Sequence, residues 1–308
     1  MKQKMKIRWA FDPFTKQENT WHRAVEFLYN MQDSKEAEVI PTYVMGSEVS
    51  DWVTKSMAYE GVDMYHTISE VCLAKLKELD TRESFNAPEI IESSTGSKRS
   101  DASIMAKSLD GIDLLVVNTH AQKGLERFFI GSFAENLLLQ CSTPMAFISP
   151  HTDKVNALNK GLYPTDLLAS SKPVFDDYLE QSFNTAKQVV LYSKYFHPET
   201  SFYSSTSVML GGGPISLNQY YEDQSLNKEK QAAHWQDSAK SLDIKTEVIL
   251  DDSAHPMAES IVNTAKENNC DLIYMPSFSS TMDTVLVGSI AREVIRQSPL
   301  PVIVWHIS

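Results

Sequence analysis

Two Gly-Ser pairs, Gly131-Ser132 and Gly288-Ser289, are the residues of this chain best placed to do chemistry. Each stands between an apolar run and an amphipathic stretch, where a strand hands over to a helix. The first N–H groups of a helix have no intrahelical partner, and the positive end of its dipole lies there, so such a corner favours an anion. Glycine lets the backbone approach a phosphate closely in conformations that a Cβ forbids. A serine there also caps a helix with no ligand present, and the glycine also eases a tight turn. Other chemistries lack their residues. Gly211-Gly212-Gly213 is not followed by the Lys-[Ser/Thr] of a P-loop. No histidines have the HExxH spacing, no Cys/His cluster suits a metal, and no Gly-x-Ser-x-Gly elbow presents a nucleophile. The sequence therefore assigns no catalytic residue and no metal ligand.

The elements that position these pairs occur twice. Gly131-Ser132-Phe133-Ala134-Glu135 recurs as Gly288-Ser289-Ile290-Ala291-Arg292. Before them stand Asp113-Leu114-Leu115-Val116-Val117 and Asp271-Leu272-Ile273-Tyr274-Met275; after them stand Pro144 to Ile148 and Pro301 to Trp305. Landmarks in one order at almost constant offset mean two copies of one unit. The expected units are residues 1–152 and 159–308, joined by a polar linker near His151 to Lys160. In each half, apolar runs alternate with helical patterns, which implies βαβ units and a parallel sheet covered on both faces. The expected fold class is α/β, with two tandem doubly wound five-stranded parallel sheets. Ligands on such sheets sit beyond the carboxyl ends of the strands, at the switch in strand order. That points to Asp12, to the stretch from Asn118 to Gly131, and to their second-half partners. Ser201 to Gln224 reads as a long irregular segment, with a helix following from about Lys228.

Composition narrows the classes. The chain has 308 residues, 42% hydrophobic and 22% charged, as expected of a globular protein. A net charge of −12 leaves no basic footprint for nucleic acid or anionic lipid. No apolar run approaches the roughly 20 residues of a membrane helix. The N-terminus is too charged for a secretion signal. Cys72, Cys141 and Cys270 are scattered, which suits buried free thiols in a reducing compartment, and a cytoplasmic location is expected.

On these residues the chain resembles the universal stress protein family in its tandem two-domain form. Members carry an aspartate at the end of the opening strand, here Asp12 and, within Pro164-Thr165-Asp166, Asp166. Nucleotide-binding members carry Gly-x2-Gly-x9-Gly-[Ser/Thr] after the fourth strand. Laid on this chain, the pattern gives Asn118-Thr119-His120-Ala121 before Gly131-Ser132, and Met275-Pro276-Ser277-Phe278 before Gly288-Ser289. The spacing is kept, and the first two glycines are replaced in both halves. The resemblance implies a site for ATP or AMP formed by Asp12, Asn118, His120, Ala121, Gly131, Ser132 and Phe133, with a degenerate counterpart at Asp166, Gly288 and Ser289. Phe278 is expected to obstruct that second corner, so the first half is the better nucleotide site.

The resemblance also implies that the two final strands pair antiparallel within one molecule, giving a pseudo-dimer with Trp305 near the interface. It implies a stress-response protein that works by binding. Two other readings stand beside it: an interaction module with no nucleotide, and a slow ATP hydrolase. The partner classes are an adenine nucleotide or other small molecule and a second copy of the chain.

Overall fold

The computed structural model describes residues 4–14, 18–46, 64–93, 97–119, 130–153, 155, 157–195, 217–278 and 288–307. The first half runs β1 (Lys6–Ala10), α1 (Glu18–Lys35), β2 (Glu38–Met45), α2 (Met64–Leu79), β3 (Glu89–Glu92), α3 (Lys98–Lys107), β4 (Leu114–Asn118), α4 (Ser132–Gln140) and β5 (Met145–Ile148). The second runs β6 (Lys160–Pro164), α5 (Lys172–Glu180), β7 (Gln188–Lys194), α6 (Leu217–Ser241), β8 (Lys245–Asp251), α7 (Met257–Glu267), β9 (Leu272–Phe278), α8 (Ser289–Gln297) and β10 (Val302–Ile307). The strands form one ten-stranded sheet in the order β3-β2-β1-β4-β5-β10-β9-β6-β7-β8.

Every pairing within a half is parallel, and the seam β5–β10 is antiparallel, with Val302 opposite Phe147 and Val304 opposite Met145. Two doubly wound units, as the repeat implied, thus share one sheet through the strand pairing that the resemblance implied.

Alternation along the strands builds two apolar layers. Ile7, Trp9, Leu114, Val116, Ala146, Ile303 and Trp305 face α1, α2, α5 and α6. Leu115, Val117, Met145, Phe147, Val302 and Val304 face α3, α4, α7 and α8. Successive side chains of a strand point to opposite faces, so a continuous apolar run fills both layers. The aspartates that open β4 and β9 do matching work. Asp113 accepts from the Lys6 N–H at 2.7 Å, and Asp271 accepts from the Asn159 and Lys160 N–H groups at 2.9 and 2.8 Å. Each pins the start of its neighbouring first strand.

Five sequence expectations need adjustment or comment. The segment 201–224 is not irregular throughout, because α6 already begins at Leu217. Gly211 to Gly213 lie outside the described residues. The stretch between the halves is not a loose tether: Val155 and Leu158 are buried, and the Val155 N–H donates to Glu26 of α1 at 3.0 Å. Trp305 lies on the seam strand, but its ring turns into a second-half aromatic cluster, 5.5 Å from Tyr178 and 5.7 Å from Phe183. The three cysteines are free and buried, and burial pushes their thiols up, to about 11 for Cys72 and about 12 for Cys141 and Cys270.

Two predictions follow from this packing. A Cβ at Gly161 would collide with Tyr274 Cε2, on a fully buried ring. Gly161→Ala should therefore cost about 1–3 kcal/mol, measured by urea unfolding. His306 on β10 is half-buried with neither ring nitrogen partnered among the described residues, and burial lowers its pKa from 6.5 to about 4. A depressed pKa means that the unfolded chain binds the proton first. Stability should therefore be full above pH 6.5 and fall as pH drops from there toward 4. The loss should be on the order of 1 kcal/mol by pH 5 after allowing for solvent screening. Unfolding titrations across that window should show a shallower decline in His306→Phe.

Candidate functional site

The sheet order reverses between β1 and β4 in the first half and between β6 and β9 in the second. In such sheets the crevice opens beyond the carboxyl ends at that reversal. In the second half the described residues form a cavity of about 910 Å³ there. It is lined by Pro164 at the end of β6, by Thr165 and Asp166 after it, and by Met275, Pro276 and Ser277 of β9. Its walls come from Asn227, Lys228 and Gln231 of α6, Met257 and Ile261 of α7, and Gly288 with Ile290 at the head of α8. The volume falls in the range of small-molecule sites, roughly 300–1,000 Å³.

The structure separates the predicted site residues by what they touch. Asp12 and Asp166 are exposed after their strands, and each accepts from the backbone N–H two residues on, Phe14 at 3.0 Å and Leu168 at 2.9 Å. Each therefore shapes its turn and keeps a carboxylate in solvent. Asn118 is fully engaged within the fold: its Oδ1 accepts from Trp9 Nε1 at 2.8 Å, and its Nδ2 donates to the Thr20 carbonyl at 2.9 Å. His120 and Ala121 lie outside the described residues.

Gly131 and Gly288 are the N-caps of α4 and α8, and neither helix has a side-chain cap. Ser132 and Ser289 occupy the first helical position and are exposed, so the capping role read from their type is not the one they play. Phe133 is half-buried against the layer under α4. The glycines differ. Gly131 has φ 94°, a region that favours glycine. Gly288 has φ −58°, and an added Cβ would meet nothing within 4 Å, so glycine there only keeps the corner of the cavity open.

β9 continues through Phe278, paired with β10 by His306 opposite Ser277 and Ile307 opposite Phe278. The positions matching the two absent glycines are thus ladder residues, and Pro276 brings no N–H. The side chain of Phe278 lies outside the described residues.

Sequence reading missed the two lysines of this cavity. Lys194 closes β7, where its Nζ donates to the His255 carbonyl at 2.6 Å, Ser260 Oγ at 2.8 Å and Ser253 Oγ at 3.2 Å, with Asp251 at 3.2 Å. The Ser253 hydroxyl in turn donates to Asp251 at 3.1 Å, so Lys194, Asp251 and the two serines form one local network. Burial alone would raise the Asp251 pKa. Hydrogen bonds from Tyr192, Ser253 and Lys194 outweigh that and hold it well below the usual carboxylate range. Lys228 is different. Its Nζ donates to Ser193 Oγ at 2.6 Å and the Asp166 carbonyl at 3.1 Å, 6.0 Å from the Tyr195 ring. Burial lowers its pKa, and the Asp166 charge opposes that shift. The available signal was positional: Lys194 ends a strand at the carboxyl edge, where the reversal rule places ligands.

The sequence pattern of the universal stress protein family matches residues 10–149 and again residues 162–306. The chain belongs to the universal stress protein family. Membership of the universal stress protein family supports a role in the stress response. A universal stress protein from Archaeoglobus fulgidus DSM 4304 has the same fold over 97% of this chain and 98% of its own, with TM-score 0.60 and 13% identity. A functionally unknown protein from Pseudomonas aeruginosa PAO1 covers 98% of this chain and 92% of its own, with TM-score 0.60 and 12% identity. At such identities the likeness is one of fold. Curated protein sequences give no match. Among the described residues no group of His, Cys, Asp and Glu could hold a metal, and no helix is long and apolar enough to cross a membrane.

The Asn118 network separates a structural role from a ligand role. Asn118→Ala leaves the buried Trp9 Nε1 without its acceptor and should cost about 1–3 kcal/mol in the ligand-free protein. Urea unfolding without ligand checks this, since a residue serving only a ligand would leave the midpoint unchanged.

Proposed function

We propose that this universal stress protein is a cytoplasmic ligand-binding protein whose two units, residues 1–152 and 159–308, hold different small molecules and work by binding, not turnover. The observation that carries this reading is the cavity of about 910 Å³ at the second-half strand reversal. The second half is therefore a binding unit as well as a structural partner. For the first half, the family resemblance supports an adenine nucleotide, ATP or AMP, at the corner of Asp12, Gly131 and Ser132. The left-handed backbone at Gly131 and the exposed Ser132 at the start of α4 suit that anion.

The test combines mass spectrometry of co-isolated small molecules with calorimetry on the full chain. ATP or AMP should bind once per chain, weaken at least tenfold in Asp12→Ala, and be indifferent to Gly288→Leu. A co-isolated small molecule should be lost in Gly288→Leu, whose side chain grows into the open corner. An empty protein that binds neither nucleotide would favour an interaction module instead. Mg²⁺-dependent ATP turnover that vanishes in Asp12→Ala would make the protein an enzyme.

A further inference from the structure

The second-half cavity has an uneven lining. Leu167, Met257, Ile261, Met275, Pro276 and Ile290 give it broad apolar walls. Its described cations are Lys194 and Lys228. Lys194 is neutralised by Asp251, and its three N–H bonds are already made. Lys228 makes no ion pair among the described residues. Its two described hydrogen-bond partners are a hydroxyl and a carbonyl, and its side chain is half-buried. A half-buried ammonium without a counter-ion is costly, and a ligand anion offsets that cost.

The same lining argues against a polyanion. The exposed Asp166 is one of the lining residues, and the β9 positions that would cradle phosphates are strand residues paired with β10. With Lys194 ion-paired and Lys228 in no described ion pair, though within reach of the Asp166 charge, the lining matches a single negative group.

Building on the reading of this cavity as a ligand site, we infer that it takes an amphiphile with an apolar body and a single anionic head, a carboxylate or a monophosphate ester, with the head on Lys228 Nζ. The body lies along Met257, Ile261 and Ile290, and the open corner at Gly288 admits it.

The experiment is calorimetry on the full chain with decanoate, decanol, decyl phosphate and AMP as probes. Decanoate or decyl phosphate should bind about 10- to 100-fold more tightly than decanol, the contribution of a charge-assisted hydrogen bond. Lys228→Met should bring the anions down to the level of decanol, Lys228→Arg should retain most of the preference, and Gly288→Leu should abolish binding of all three decyl probes. If Lys228→Met fails to fold, the comparison of decanoate with decanol on the unaltered protein and on Lys228→Arg decides alone. Equal binding of decanol and decanoate, or anion binding untouched by Lys228→Met, overturns the inference. Tight AMP binding lost in Gly288→Leu, with decanoate excluded, overturns it too but leaves the cavity a ligand site. A protein that takes up no probe and carries no co-isolated molecule in this cavity removes both.

Discussion

The antiparallel ladder between β5 and β10 is the constraint on which the rest of the molecule depends. Each half alone would end in a strand with a row of unpaired N–H and C=O groups, a template for aggregation. Pairing the two edges makes ten strands from two sets of five and lets each apolar layer run on beneath helices of both halves. The ladder also fixes where chemistry can happen. All strands within a half are parallel and the seam is antiparallel, so the two sets of carboxyl ends lie at opposite edges of the sheet. The two crevices therefore cannot share a mouth or a ligand.

That separation lets the copies differ without harm to the fold. The shared features are those that hold the sheet: the aspartates that open β4 and β9, the proline carbonyls before β5 and β10 that accept from Leu115 and Ile273, and the glycine N-caps of α4 and α8. What differs lies at the carboxyl edge. In the first half Tyr43 packs 5.5 Å from an exposed Phe14, beside Asp12, and burial raises its pKa. In the second half Tyr192 donates at 2.6 Å to Asp251, which in turn pairs with Lys194. Gly131 has the left-handed backbone and Gly288 does not.

The fold was legible because its determinants are local or repeated. Apolar runs of strand length, amphipathic spacing and two copies in one order specify two sets of βαβ units, and the family resemblance implied the pairing of the last strands. The site was less legible, because its determinants are contacts between distant positions. Asn118 stands where the family pattern has a glycine, and nothing near it in sequence shows that Trp9 and Thr20 occupy its amide. Ser132 has the residue type of a cap, yet the backbone of Gly131 moves it one position into the helix. The start of α6 was missed because Tyr220 and Tyr221 carry no helical periodicity with their polar neighbours. Nothing near Lys194 or Lys228 in sequence shows that β7 and α6 bring them to one cavity.

Those two lysines show how position within one cavity separates a structural charge from a functional one. Both are single ammonium groups at the carboxyl edge of the same sheet, and both have lost much of their water. Lys194 meets a carboxylate that three other donors hold ionised, so its charge closes a local network and presents nothing to a ligand. Lys228 reaches the edge from a helix, donates to neutral oxygens in the described fold, and makes no described ion pair, the Asp166 charge acting on it only at a distance. A buried charge that the fold does not match is retained at a cost in stability. Sites that hold such a group are those where an incoming molecule completes it. The asymmetry between the lysines, more than the surviving glycine-serine pair, is what supports the proposal of a ligand in the second crevice.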